Sequence, residues 1–251
     1  MSNIFDSHCH LVDIDSNELS VITEQLSNLS LLSVSKSIDD WDKTLELGRL
    51  FPNILPAIGI HPWFINESSV ENHLGSLKST IALTNSLSMI GEIGLDFDSK
   101  YIHSKEIQIH VFEYQVEVAL RCGLGISIHC RKAFDEVRSV LGSHNVSRAI
   151  MHGFSGSYEQ AKPFIGLGCK LGIGTQLLNK QSTKYERLVR QSPIESLVLE
   201  TDAPYGKHGQ NLSHYDRLMV IAKRIATIKQ LDVAEVVDMT YASAKSIIRC
   251  E

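Results

Sequence analysis

Eight short apolar runs, separated by stretches of helical periodicity, constrain this chain more than any other feature. The runs lie near Ile4–Phe5, Leu31–Val34, Ile54–Ile60, Met89–Ile93, Gly125–Ile128, Arg148–Met151, Lys170–Ile173 and Leu197–Leu199. Between them, Ile107, Val111, Tyr114 and Val118 recur at helical spacing, and so do Leu218, Ile221, Ile225 and Ile228; such recurrence marks one face of a helix. Strand alternating with helix eight times over predicts an α/β fold, a closed parallel (β/α)8 barrel. The chain has 251 residues, close to the about 250 typical of such a barrel. No linker or low-complexity tract interrupts it, so one domain over 1–251 is expected. A doubly wound open sheet is the competing architecture. It usually carries a glycine-rich loop after its first strand, and here histidines stand at that position.

Polar residues sit where the apolar runs stop. Asp6-Ser7-His8-Cys9-His10 follows the first run, His61-Pro62 the third, and His129-Cys130-Arg131 the fifth. His152-Gly153 follows the sixth, and Glu200-Thr201-Asp202-Ala203-Pro204 the eighth. The fourth run contains Glu92 and leads on to Asp96. Side chains alternate across a strand, so His8 and His10 share one face and Cys9 takes the other. Taken alone, that pair reads as a metal chelate or as two hydrogen-bonded histidines in a turn. Barrel active sites are assembled at the C-terminal ends of the strands. Four histidines with Glu92 and Asp202 at that one end make poor core filler, because buried unpaired charge is costly. A metal site is the expected reading. With His61, five of the eleven histidines follow an apolar run directly, and the other six are expected on solvated helix and loop faces.

Imidazole with carboxylate suits Zn, Mn, Co or Fe, and added carboxylate shifts the preference toward Mg or Mn. Glu92 lies on a middle strand between the two groups of histidines, and a carboxylate can bridge two cations. Two cations about 4 Å apart can bind both the attacking and the leaving oxygen of a displacement. A free carboxylate oxygen of Asp202 can take a proton from the attacking water.

Six ordered segments carry a specific resemblance: DSHCHL (6–11), GIHP (59–62), IGEIGLDF (90–97), IHCRKA (128–133), MHGFSGS (151–157) and LETDAP (199–204). The chain resembles the TatD family of metal-dependent deoxyribonucleases, within the amidohydrolase-like barrel superfamily. The resemblance implies two divalent ions (Mg, Mn, Zn or Co). His8 and His10 would bind one, Glu92 would bridge, and His129 and His152 would bind the second. Asp202 would complete the first site and serve the water. Many relatives bridge with a carboxylated lysine, but the fourth run offers Glu92 and no lysine. The chain departs from the family at YGKHGQNLSHYDRL (205–218) and at Ser243, which stands where an asparagine is usual.

Around this set, His61 and Arg131 are candidates for substrate phosphate, with a Pro-stiffened turn and helix pairing as the plainer alternatives. Glu200 is expected to support the site from behind, and Asp96 to hold the loop after the fourth strand. Trp63, Tyr101 and Phe154 could stack bases or simply pack. A net charge of −5 argues against gripping duplex DNA through a broad basic surface. The five cysteines show no CxxC spacing and read as reduced thiols. No apolar stretch is long enough to span a membrane, and the N-terminus has no signal-peptide pattern. A cytoplasmic protein is expected; the sequence leaves the oligomeric state open, with a monomer favoured over an assembly.

Three functions compete. The favoured one is trimming of single-stranded DNA ends, or of another phosphodiester. A second keeps the metals and changes the bond, as an ester or amide hydrolase such as a D-aminoacyl-tRNA deacylase. A third is a non-catalytic metal-binding barrel.

Overall fold

In the computed structural model, which describes residues 3–65, 67–84, 86–179 and 181–248, eight strands follow one another in the order β1 to β8 in one sheet. They are β1 (Ile4–Cys9), β2 (Leu29–Val34), β3 (Ile54–Ile58), β4 (Met89–Asp96), β5 (Gly125–Arg131), β6 (Ala149–Met151), β7 (Lys170–Ile173) and β8 (Leu197–Leu199). Every neighbouring pair from β1·β2 to β7·β8 is parallel. The ring is drawn shut beyond the end of β8: Asp202 N–H donates to His8 O (3.0 Å) and His10 N–H to Ala203 O (2.7 Å). The fold is the (β/α)8 barrel that the alternation of runs predicts.

Helices α1 (Ser16–Glu24), α2 (Trp41–Leu50), α3 (Val70–Leu83), α4 (Lys105–Arg121), α5 (Phe134–Ser143), α6 (Tyr158–Gly166) and α7 (Thr183–Gln191) connect successive strands, and α8 (His214–Lys229) and α9 (Val233–Ile247) follow β8. The two periodic faces behave as their spacing requires. Val111 and Val118 of α4 are buried, and so are Leu218, Ile221, Ile225 and Ile228 of α8. One apolar cluster joins Phe5, Leu32, Val34, Ala57, Met89, Ile150 and Val198 to Ala244 and Ile247 of α9. The cluster runs from strand starts such as Phe5 to strand ends such as Val34, with α9 packed against it. Ser243, at the departure from the usual asparagine, is buried there and donates to Glu195 O (2.9 Å). No helix among the described residues is long and apolar enough to cross a membrane.

The strands differ from the apolar runs at their C-terminal ends. β1 continues through the polar residues to Cys9, β4 to Asp96 and β5 to Arg131, while β3 stops at Ile58. Apolar patterning detects a strand only while it faces core on both sides. The polar ends stay paired through the backbone, as Cys9 with Ser33 and Asp96 with Arg131 show. Cys9, Cys122, Cys130 and Cys169 are free thiols; Cys250 lies outside the described residues.

Candidate active site

The polar ends of the strands meet at one mouth. Glu92, from β4, sits at the centre and is buried. Its Oε2 lies 3.5 Å from His8 Nε2 and 3.4 Å from His10 Nε2. Its Oε1 lies 3.1 Å from His129 Nδ1, 3.6 Å from His61 Nε2 and 3.9 Å from His152 Nε2. The two carboxylate oxygens therefore face two different sets of imidazoles. Asp202 Oδ1 completes the ring, 3.7 Å from His10 Nε2 and 3.9 Å from His152 Nε2. Asp202 has φ of 53°, a conformation that costs a non-glycine residue energy and concentrates at functional sites.

This donor set fits divalent cations. His8 Nε2 and His10 Nε2 are only 3.3 Å apart, and the rings of His8 and His152 stack at 3.5 Å. Of four clusters whose ligand atoms lie within 4.8 Å of one another, three fall at this mouth: His8–His10–Glu92, His8–His152–Asp202 and His61–Glu92–His129. Imidazole nitrogens and carboxylate oxygens converging in this way are a donor set that suits a divalent cation.

Outer partners set which nitrogen each ring presents. His8 Nδ1 lies 3.0 Å from Ser127 Oγ. His129 Nε2 lies 3.0 Å from Asp96 Oδ2. His152 Nδ1 lies 3.2 Å from Glu200 Oε1. Each leaves its other nitrogen facing Glu92, the arrangement usual for metal-bound histidine. His61 differs, because its Nδ1 accepts from the Trp63 backbone N–H (3.1 Å). A neutral His61 therefore carries its proton on Nε2 and faces the pocket as a donor. Glu200 also accepts from Gly153 N–H (2.8 Å). It fits only because position 172 is glycine: a Cβ there would clash with the Glu200 carboxylate.

The electrostatics follow from this crowding. Burial alone would raise the Glu92 carboxyl, but the imidazoles of His61 and His8 and hydrogen bonds from His129 and His8 hold it well below the usual range. Burial lowers His8, His10 and His61. Burial opposes the charged form of His152 too, yet Glu200 and then Asp202 raise it to about 10. Asp202 is pushed up to about 7, first by burial and against the pull of His152, with Glu200 and Glu92 adding to the rise. A cation must displace the proton on His152 Nε2 to bind there, so affinity at that nitrogen strengthens as pH rises.

The remaining candidates sort by position. Asp96 accepts from Asp98 N–H (2.9 Å) and from Trp63 Nε1 (2.7 Å), so it holds the loop after β4 and backs His129 together. Arg131 points outward from β5; its Nη2 donates to Asp98 Oδ2 (3.1 Å), an ion pair with that loop and not with a helix. Trp63 stacks on Tyr101 at 5.3 Å and reaches the pocket. Of the two readings for Phe154, stacking or packing, the structure shows packing: it is buried against Phe134 and Phe164. The aromatic follows its strand just as the site residues do, but it turns into the core between the strands and the helices.

Two residues escape the reading of the sequence. His214, expected on a solvated face, is buried at the start of α8, with Nε2 2.6 Å from Asp6 Oδ2. Asp6 also accepts from His8 N–H (3.1 Å), Thr201 N–H (3.0 Å) and Thr201 Oγ1 (2.6 Å). It ties His8 to the segment that carries Asp202. Lys36 follows the second apolar run as the histidines follow theirs, and that was its one signal. It lines the same cavity of about 230 Å³ as His10, His61, Glu92, His129, His152 and Asp202, with Trp63, Phe64 and Tyr205 around it.

Known proteins resemble this chain along almost its whole length. The profile of a family described as "TatD related DNase" matches residues 5–249. An uncharacterized metal-dependent hydrolase of Haemophilus influenzae is 30% identical, over 98% of this chain and 99% of its own. The human protein named deoxyribonuclease TATDN3 is 26% identical, over 96% of this chain and 93% of its own. The crystal structure of YjjV, a TatD homologue from Escherichia coli K12, superposes with a TM-score of 0.88 at 24% identity, covering 99% of this chain and 98% of that one. This last likeness bears on the fold. A profile matched along almost the whole length, and a full-length relative that is itself a metal-dependent hydrolase, place the chain in the TatD family of metal-dependent hydrolases.

Proposed function

We propose that residues 1–251 act as one hydrolase domain that cleaves phosphodiester bonds at the ends of single-stranded DNA. The observation that carries this reading is the split carboxylate of Glu92, one oxygen toward His8 and His10 and the other toward His129, His61 and His152. A pair of divalent ions held on either side would supply, when bound, an acidified water and neutralisation of charge on the phosphate oxygens. His8, His10 and Asp202 would hold the first ion, and His129 and His152 the second. His61 presents Nε2–H to a phosphate oxygen. Asp202 accepts the proton lost by the attacking water on the carboxylate oxygen that does not hold the ion.

Two features favour a chain end over a continuous duplex. The cavity is small, about 230 Å³, and Lys36 is the only lysine or arginine lining it among the described residues. The human and mouse relatives carry the name deoxyribonuclease, the mouse one as putative. The test is an end-labelled single strand with Mg or Mn, beside a circular strand of the same sequence. The linear strand is expected to shorten from an end while the circle survives. Equal cutting of both would remove the exonuclease reading. Cleavage of neither, with release of an amino acid from a D-aminoacyl ester, would replace the phosphodiester with an acyl ester.

A further inference from the structure

Lys36 is the one charged side chain among the described residues of the mouth that the proposed chemistry leaves unused. Its Nζ donates to Asp13 Oδ2 (2.5 Å) and to Tyr205 Oη (2.9 Å), and Tyr205 Oη donates to the same Asp13 oxygen (3.0 Å). An ammonium has three N–H donors, and the third has no protein acceptor among the described residues. The side chain is only 17% exposed, so it is held in place and does not wave in solvent. Burial opposes its charge, but the bonds to Asp13 and Tyr205 outweigh that and keep it above its ordinary range. It is a fixed cation at working pH.

The walls beside it are aromatic. Trp63, Phe64 and Tyr205 are 44%, 44% and 51% exposed. They are the only strongly exposed aromatics among the described residues, and all three line this one cavity. Lys36 Nζ lies 5.3 Å from the Tyr205 ring centre and 6.0 Å from that of Phe64. Exposed aromatic faces beside a cation suit a nucleobase or sugar joined to a phosphate.

We propose that Lys36 binds a second phosphate of the substrate, one nucleoside away from the phosphate at the Glu92 centre, with that nucleoside against Trp63, Phe64 and Tyr205. The preferred substrate is then a nucleotide chain end that bears a phosphate beyond the bond to be cut. This inference rests on the phosphodiester reading above and adds its substrate class. One cation also limits the grip to one extra phosphate, in keeping with the acidic net charge of −5.

The test uses calorimetry on the whole, manganese-loaded protein with deoxythymidine 3′,5′-bisphosphate and the two deoxythymidine monophosphates. Wild type is expected to bind the bisphosphate about tenfold more tightly than either monophosphate, the scale of one partly solvated charge-assisted contact. Lys36→Met and Lys36→Gln should bring that ratio close to one, and Lys36→Arg should keep most of it. Equal binding of all three ligands by wild type, or a preference that survives in both Lys36→Met and Lys36→Gln, would overturn the proposal. Turnover of bis(4-nitrophenyl) phosphate, which has no second phosphate, is read separately. Its absence with the tenfold preference intact would remove only the phosphodiester reading, and its presence without the preference would remove only the Lys36 site.

Discussion

Replacing Glu92 with glutamine is expected to cut metal content from about two ions per chain to one or none and turnover by at least about a thousandfold, equivalent to ~4 kcal/mol of barrier. The amide has almost the same shape, so loss of volume is not the cause. Its single carbonyl oxygen cannot face both sets of imidazoles, which lie 3.1–3.9 Å from the two oxygens of the native carboxylate on either side. The missing charge also leaves the histidines without the anion they surround. The pH dependence of stability should change with it. Glu92 is held well below its ordinary 4.5, so it stabilises the metal-free fold above the ordinary carboxylate range, and that stability fades as pH falls through the depressed value. The glutamine variant lacks this acid-side loss. Metal analysis after dialysis, with thermal melts of the metal-free protein at several pH values, reads both effects. Native metal content and native turnover in Glu92→Gln would remove Glu92 from the centre.

Replacing Asp202 with asparagine is expected to lower turnover by about 10²–10⁴-fold, the range of a positioned general base, with a smaller effect on substrate binding. The amide has no basic oxygen near neutral pH. The Asp202 backbone N–H to His8 O bond (3.0 Å) does not depend on the side chain, so the closure of the barrel should survive. The ion facing Glu92 Oε1 and His129 should stay bound. Single-turnover rates on a short single strand separate the chemical step from binding. An unchanged single-turnover rate would assign the proton to another group.

The sequence made some parts of this molecule plain and hid others for identifiable reasons. Barrel order was legible because each strand core is apolar on both faces and each helix repeats at its own period. The convergence of His8, His10, Glu92, His129, His152 and Asp202 was legible because charged and imidazole groups directly after apolar runs share one end of a barrel. Strand ends were not: polar residues such as Asp6, Ser7 and His8 leave no apolar trace although their backbone stays in the sheet. His214 was hidden because its partner, Asp6, lies 208 residues away; nothing in its helical neighbourhood marks it as buried. Phe154 packs in the core, the plainer of its two readings, since the local motif of a strand end does not say which way a side chain turns. Lys36 and Tyr205 meet across 169 residues, one after the second strand and one in the divergent 205–218 segment, so neither pointed to the other.

Anomalous diffraction from crystals grown with manganese tests the two-ion centre most directly. Two peaks are expected, one beside Glu92 Oε2 with His8, His10 and Asp202, the other beside Oε1 with His129 and His152. A single peak, or peaks that leave the Glu92 carboxylate uncoordinated, would contradict a centre built on that bridge.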